Sequence, residues 1–214
     1  MLSRSKLYTR KEPDKDARLF VIFCEGEKRE PGYFKYFKDM ASQIKIELVA
    51  HVDGRQTPTG LFQTATEILL PDPTIQSPKY DLRSGDEVWF VIDTDDWGSD
   101  IAKLREKVGQ YEGWYVAQSN PCFEVWLYYH LNHLSPVFED IGTAHIWKRH
   151  LSDAHGGFNS AKQPIYLEVA IVNAKANFAG VIGMPDPGGT EVYLLAEKIL
   201  PLVKRELDQA LNNL

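Results

Sequence analysis

Two apolar segments that end in acidic residues constrain the fold of this chain most strongly. Residues 19–24, LFVIFC, are continuously apolar and are followed directly by Glu25. Residues 88–92, VWFVI, are likewise followed directly by Asp93. Apolar runs of strand length without polar alternation are typical of parallel sheets, in which both faces are covered. We therefore expect two interior strands of a parallel sheet, each with a carboxylate at its carboxyl end.

Helix signals separate the strand signals in the first 133 residues. An aromatic, lysine-containing segment entered through Pro31 predicts an amphipathic helix, and Thr57 is a suitable N-cap for a second one. The segment 114–119 predicts another strand, and we expect Ser119 or Asn120 to cap the apolar helix that follows it. Alternating strands and helices indicate βαβ units with right-handed crossovers. The predicted fold class is α/β, with a mainly parallel sheet flanked by helices.

The alternation stops beyond residue 134, which suggests a division into three parts. Residues 1–17 are polar and basic-leaning and are predicted to be a flexible arm, whereas residues 18–133 form the α/β core. Residues 134–214 are predicted to supply an insertion loop near the site and C-terminal helices packed on the core. Within this part we expect residues 135–163 to be irregular, and Thr190 to cap the last helix.

Composition excludes several classes of protein. The chain has 30 acidic and 24 basic side chains, a formal net charge of −6, so binding to phosphate requires a local basic patch or metal ions. Its two cysteines, Cys24 and Cys122, lie in apolar segments and are predicted to be core residues without a disulfide. No apolar run approaches the ~18 residues of a membrane span. We expect a cytoplasmic protein that does not bind membranes.

The acids that follow the two apolar segments predict a metal site. Carboxyl ends of parallel strands meet at one edge of a sheet, so Glu25, Asp93 and Asp95 are expected to converge. Gly26 permits a sharp turn beside them. Clustered carboxylates repel one another unless a cation neutralises them, and Mg²⁺ or Mn²⁺ suits oxygen ligands. The alternative is that strand-end aspartates merely cap the following turn or helix.

These residues carry a resemblance to a known domain and a known family. The order apolar strand–Glu25–Gly26, then apolar strand–Asp93-Thr94-Asp95, resembles the TOPRIM domain of topoisomerases, primases and related nucleases. FCEGEKREPGYF, VIDTDDW and SNPCFEVWLYYH together are similar to the RloB family, small bacterial proteins tied to restriction and phage-defence loci. The resemblance implies a TOPRIM-like, Rossmann-like fold with C-terminal helical cover. It also implies a Mg²⁺- or Mn²⁺-dependent nuclease in antiphage defence.

The resemblance assigns roles by position. It implies that Glu25 is a general acid/base or metal ligand and that Asp93 and Asp95 bind Mg²⁺, with all three catalytic. It also implies further acids that complete a two-metal site, and the candidates are Glu27, Glu30, Asp96 and Glu124. Stabilising the N-terminus of its own helix is an equally open role for Glu124. The predicted substrate-binding residues combine the turn after the first strand with other polar or basic positions: Gly26, Glu27, Lys28, Arg29, Glu30, Arg55, Asn120 and Lys162.

Two other functions stay open at this stage. Asp93-Thr94-Asp95 superficially matches the nucleophile motif of aspartyl-phosphate phosphohydrolases. A non-catalytic metal- and nucleic-acid-binding subunit of a defence complex is the other alternative. The expected partner is RNA, including tRNA, or DNA, with a defence-system protein and a homo-oligomer as further candidates.

Overall fold

The computed structural model describes residues 12–49, 55, 57–70, 78–94, 97–137 and 140–213. Most of the predicted arm, and both Asp95 and Asp96, lie outside these residues. The described elements follow in this order: β1 Arg18–Cys24, α1 Arg29–Phe34, β2 Ile44–Val49, α2 Pro58–Leu69, β3 Glu87–Asp93, α3 Gly98–Val108, β4 Trp114–Ser119, α4 Glu124–Tyr128, α5 Ala144–His155, a 3₁₀ helix Gln163–Tyr166, α6 Leu167–Ala176, β5 Gly180–Val181, β6 Met184–Pro185 and α7 Val192–Leu211.

The main sheet is parallel and has the order β2-β1-β3-β4. The two strands that end in acids, β1 and β3, are therefore its central pair. In their register Cys24 lies opposite Val91, and Asp93 lies opposite Ser119 on β4. The predicted α/β fold is confirmed. The turn after β1, which begins with Glu25, and the end of β3 lie at the same edge of the sheet.

Both faces of the sheet are buried, which explains the continuous apolar runs. Leu19, Val21 and Phe23 point to the face covered by α2 and α3. The alternate residues of β1, such as Phe20 and Ile22, point to the face covered by helices that include α1, α4, α6 and α7. Full burial of each large apolar side chain stabilises the fold by roughly 1.5–3 kcal/mol. The predicted C-terminal helical cover is thus part of the core.

Local signals around the second helix are confirmed. Thr57 is the N-cap of α2, and its hydroxyl oxygen accepts a hydrogen bond from the Gly60 amide at 3.0 Å. Pro58 occupies the first helical position, where its missing N–H has no consequence.

Two predicted helix caps are wrong. Phe123, not Ser119 or Asn120, precedes α4, and no side-chain hydrogen bond caps that helix. Ser119 instead ends β4, and its hydroxyl pairs with the Thr190 hydroxyl at 2.7 Å. The N-cap position of α7 belongs to Glu191, one residue after the predicted one. These polar residues join β4 to the C-terminal part of the chain, which sequence-local signals do not reveal.

The prediction that residues 135–163 are irregular is also wrong, because they contain α5. Trp147 and Leu151, four residues apart, are both buried on one face of this helix. The Trp147 indole donates a hydrogen bond to the Ile141 carbonyl at 2.8 Å. Gly156, in the left-handed region at φ 64°, ends the helix.

The two cysteines are core residues, as predicted. Cys24 and Cys122 are buried and make no disulfide. None of the described helices combines the length and apolarity needed to cross a bilayer.

Candidate functional site

An open cleft of about 410 Å³ lies at the carboxyl ends of the two central strands. It is bordered by the turn after β1, the end of β3, and the first residues of α1 and α4. Its lining residues are Glu25, Gly26, Glu27, Lys28, Arg29, Glu30, Asp93, Trp97, Glu124 and Lys148. The cleft therefore combines several carboxyl groups with three basic side chains.

Glu25 links the two central strands at the cleft. Its Oε2 accepts a hydrogen bond from the Asp93 amide at 3.0 Å, and its Oε1 accepts one from the Trp97 indole at 2.5 Å. The Glu25 amide in turn donates to the Val91 carbonyl at 3.2 Å. The two acids that sequence analysis placed at neighbouring strand ends thus come together, and Glu25 is held in a fixed orientation.

Glu30 is a buried carboxyl group beside Glu25. It is only 5% exposed, and its Oε2 has no hydrogen-bond partner among the residues that the structure describes. The pKa of Glu30 is raised to about 7, first because burial removes water and then because the charges of Glu124 and Glu25 are near. The positive charge of Lys148 acts in the opposite direction. Glu30 is therefore a buried carboxyl group that two other acids and one lysine influence.

Glu124 closes the other side of the cleft. It is buried at the start of α4, and its Oε1 lies 3.4 Å from Nε of the half-exposed Arg29. Burial raises the pKa of the adjacent Cys122 thiol, and the charges of Glu124 and Asp93 raise it further. Cys122 is therefore a neutral thiol and not a nucleophile at neutral pH.

Gly26 lies directly against the buried carboxyl group of Glu30. A Cβ atom at this position would lie 2.7 Å from Oε1 of Glu30, closer than real Cβ contacts. Any larger residue would displace the buried carboxyl group. The Glu-Gly pair after β1 is thus explained by the packing of Glu30 against the turn.

The structure brings part of the predicted substrate-binding set to the cleft. Gly26, Glu27, Lys28, Arg29 and Glu30 all line it. Their side chains differ in burial, since Glu27, Lys28 and Arg29 are exposed whereas Glu30 is buried.

Three other predicted substrate-binding residues do not line this cleft. Arg55 pairs with Glu67 on α2, at 2.5 Å between Nη1 and Oε2. The Asn120 side-chain amide donates to the Pro185 carbonyl at 2.8 Å and so holds β6, which pairs with β5 in an antiparallel hairpin. Lys162 is exposed at the start of the 3₁₀ helix. Asp95 and Asp96 lie outside the described residues.

Two residues of the cleft, Trp97 and Lys148, were not predicted from the sequence. Trp97 follows the acidic end of β3 closely. Its indole N–H needs an acceptor when the ring is buried, so a tryptophan at this position indicates a contact with the nearby acids. Lys148 belongs to α5, so the missed helix concealed it; the apolar spacing of Trp147 and Leu151 is the signal that predicts both the helix and its exposed face.

A second buried polar network supports the protein beside the cleft. Oε2 of the fully buried Glu191 accepts hydrogen bonds from the Arg105 guanidinium and, at 3.1 Å, from the Gln118 amide. The Gln118 side chain donates to the Thr94 hydroxyl at 2.8 Å. Because Thr94 directly follows Asp93, this network fixes the chain that leaves β3.

The carboxyl groups of the cleft are oxygen donors of the kind that a divalent cation requires. Among the described residues, no three His, Cys, Asp or Glu side chains are already arranged around one ion position. The cleft nevertheless presents hard oxygen donors from Glu25, Glu30, Asp93 and Glu124, the ligand type that Mg²⁺ and Mn²⁺ prefer. The partnerless oxygen of Glu30 is a buried acceptor that a cation would satisfy. In donor chemistry the cleft fits such an ion.

Fold and site together define an α/β protein with an acidic cleft at the carboxyl edge of a parallel sheet. The family model described as RloB-like protein matches residues 20–199, which is most of the chain. The protein therefore belongs to the RloB-like family. No match was found among curated proteins or among solved structures.

Proposed function

We propose that this protein is a Mg²⁺- or Mn²⁺-dependent nuclease of the TOPRIM type, which hydrolyses phosphodiester bonds in nucleic acid. One observation carries the proposal: Glu25, Glu30, Asp93 and Glu124 share one open cleft at the carboxyl edge of the sheet. Burial of carboxyl groups is costly for a fold, and the burial of Glu30 and Glu124 at this edge favours a functional reason for them.

Asp93 and Glu25 are the residues that would hold the metal ion, together with Asp95 by resemblance. Glu30 and Glu124 lie in the same cleft and would complete the set. A bound divalent ion would activate water and stabilise the charge on the departing oxygen. The hydrogen bond from the Asp93 amide to Glu25 keeps these two acids in register.

The basic residues of the cleft would bind the phosphate. Lys28 and Arg29 follow the acidic turn directly, and Lys148 faces the same space from α5. Arg29 also pairs with Glu124 through Nε. The other N–H groups of its guanidinium could donate hydrogen bonds to a phosphate in the cleft. The acidic protein thereby has a local cationic border at the one place where its substrate must bind.

The reaction adds water across the phosphodiester. A bond forms between phosphorus and the water oxygen, and the bond from phosphorus to one sugar oxygen breaks. The attacking water loses a proton, and the departing sugar oxygen gains one, so no oxidant or reductant is needed. Glu25 is the proposed acid/base group for these transfers.

Antiphage defence, with RNA such as tRNA as one substrate class, is the biological setting that we infer from the resemblance to RloB proteins. DNA is the other substrate class, and it has the same phosphodiester chemistry. Family membership supports this setting, because the matched region includes both acidic strand ends.

The test uses the full chain with Mg²⁺ or Mn²⁺ and labelled tRNA, single-stranded RNA, single-stranded DNA and duplex DNA. We expect cleavage of at least one substrate, abolished by EDTA. Glu25→Gln and Asp93→Asn keep the shape of each side chain and remove its charge, so we expect activity to fall by about 100-fold or more.

Asp208→Asn is the matched control, because Asp208 is an exposed carboxylate on α7 that pairs with Lys204. We expect this variant to cleave at the wild-type rate. Wild-type activity in Glu25→Gln would refute the proposed mechanism. A covalent phosphate adduct on Asp93 would instead identify an aspartyl-phosphate phosphohydrolase.

A non-catalytic binding protein is the second candidate, and one observation favours it. Both carboxylate oxygens of Glu25 already accept hydrogen bonds within the protein. Its distinguishing result is metal-dependent binding of nucleic acid without turnover of any of the four substrates.

A further inference from the structure

We propose that the exposed face of α5, with Lys148 and Arg149, binds the phosphates that flank the reacting bond of a nucleic-acid strand. The inference rests on the proposed function and identifies the surface along which the substrate enters. It is carried by the position of α5 at the cleft, by its charge and by its rigid attachment to α4.

The position of α5 is set by Lys148. This residue lines the cleft together with Glu25, Glu30 and Glu124. Its charge is close enough to influence the carboxyl group of Glu30. Arg149 is the next residue of the helix and is also exposed. A strand whose phosphate occupies the cleft would therefore meet α5 with a neighbouring phosphate.

The charge of α5 is opposite to that of the whole chain. Its sequence, AHIWKRHLSDAH, contains a lysine and an arginine but only one acid, Asp153. The chain as a whole carries a formal net charge of −6. An acidic protein that binds a polyanion needs such a local concentration of basic groups, because its overall field repels phosphate.

Packing holds this basic face in place. Trp147 and Leu151 are buried on the opposite side of α5. The Trp147 ring meets Tyr128 of α4 edge to face, with 5.4 Å between ring centroids. Since α4 also begins with Glu124, the acids of the cleft and the cations of α5 keep a fixed relation. The surface is thus preorganised, which lowers the entropic cost of binding.

The test measures binding without cleavage. Fluorescence anisotropy of a labelled single-stranded RNA and a single-stranded DNA is recorded with the full chain in EDTA at several salt concentrations. Each phosphate contact contributes about 0.7 to the slope of log K against log salt for single strands. We expect K148Q/R149Q to reduce the magnitude of that slope by about 1.4 and to weaken binding at low salt.

The matched control is K198Q/R205Q, which removes the same two types of charge from exposed positions of α7. We expect it to retain the wild-type slope. A wild-type slope in K148Q/R149Q, an equal loss in both double variants, or no binding by the wild type at low salt would overturn the proposal.

Cleavage assays on the same proteins separate this proposal from the proposed function. Loss of slope in K148Q/R149Q without cleavage by the wild type in any metal supports the surface and refutes the nuclease. Metal-dependent cleavage together with an unchanged slope refutes the surface and leaves the nuclease standing. Comparison of the RNA and DNA arms identifies which strand the surface prefers.

Discussion

Two buried glutamates of this protein have contrasting surroundings. Glu191, between β4 and α7, is fully buried, and its Oε2 accepts bonds from the Arg105 guanidinium and the Gln118 amide. Its Oε1 accepts a bond from the Gly183 amide. Glu30, in the cleft, is almost as buried, but one of its oxygens has no hydrogen-bond partner in the described part of the chain, and two other acids influence it.

The contrast separates a carboxylate that the fold surrounds with donors from one that it buries beside other acids. A fold that must bury a carboxylate for its own stability surrounds it with donors, as at Glu191. In the cleft, burial raises the pKa of Glu30 to about 7, and the charges of Glu124 and Glu25 add to the shift. A cation bound there would interact favourably with these acids, which is the arrangement that the proposed function requires.

Of the changes that test this difference between the two glutamates, replacement of Glu191 is expected to alter the free energy of unfolding most. Glu191→Ala leaves the Arg105 guanidinium, 23% exposed, without its buried acceptor and removes the acceptor of two backbone amides. We expect the free energy of unfolding to fall by about 3 kcal/mol, measured by urea unfolding. Glu197→Ala, which breaks the exposed pair with Lys175, should cost less than about 1 kcal/mol. Equal losses in the two variants would contradict the structural role of Glu191.

A smaller effect with a defined pH dependence is expected at Glu30. Its pKa in the folded protein, about 7, lies above the ordinary value of 4.5, so the unfolded chain releases this proton first. The stabilisation is present below the ordinary pKa and is lost as pH rises through about 7. Between about pH 5.5 and about pH 8, in EDTA, this group alone should lower the free energy of unfolding by about 2 kcal/mol.

Glu30→Gln is the variant that isolates this contribution, because the amide cannot titrate. The difference in unfolding free energy between the two proteins should change by about 2 kcal/mol over that pH range. Asp208→Asn, at an exposed carboxylate, supplies the control. Parallel curves for wild type and Glu30→Gln would show that Glu30 does not carry the raised pKa.

The sheet and its acidic edge were predictable because their causes are local. Uninterrupted apolar runs require two covered faces, which places β1 and β3 inside the sheet. Because the carboxyl ends of parallel strands lie at one edge of the sheet, this placement also brings Glu25 and Asp93 to the same edge. Thr57 before Pro58 marks the start of α2 for the same local reason.

The burial of Glu30 and the position of Lys148 were not predictable in this way. Glu30 belongs to a run of charged residues, which is typical of an exposed segment. Packing of α1 against the core nevertheless buries it. Lys148 reaches the cleft only because α5 packs on α4, a contact between segments distant in sequence. Ser119 likewise bonds to Thr190 rather than to a helix end, and Thr190 joins β4 to the first amide of α7, that of Val192.

Binding of Mn²⁺ to the full chain, followed by electron paramagnetic resonance, tests the central claim most directly. We predict that wild type and Asp208→Asn bind Mn²⁺ with equal affinity, and that Glu25→Gln/Asp93→Asn binds it at least about 10-fold more weakly. Excess Mg²⁺ should displace the bound Mn²⁺, because both ions use oxygen ligands. Failure of the wild type to bind Mn²⁺, or unchanged binding by the double variant, would contradict the account.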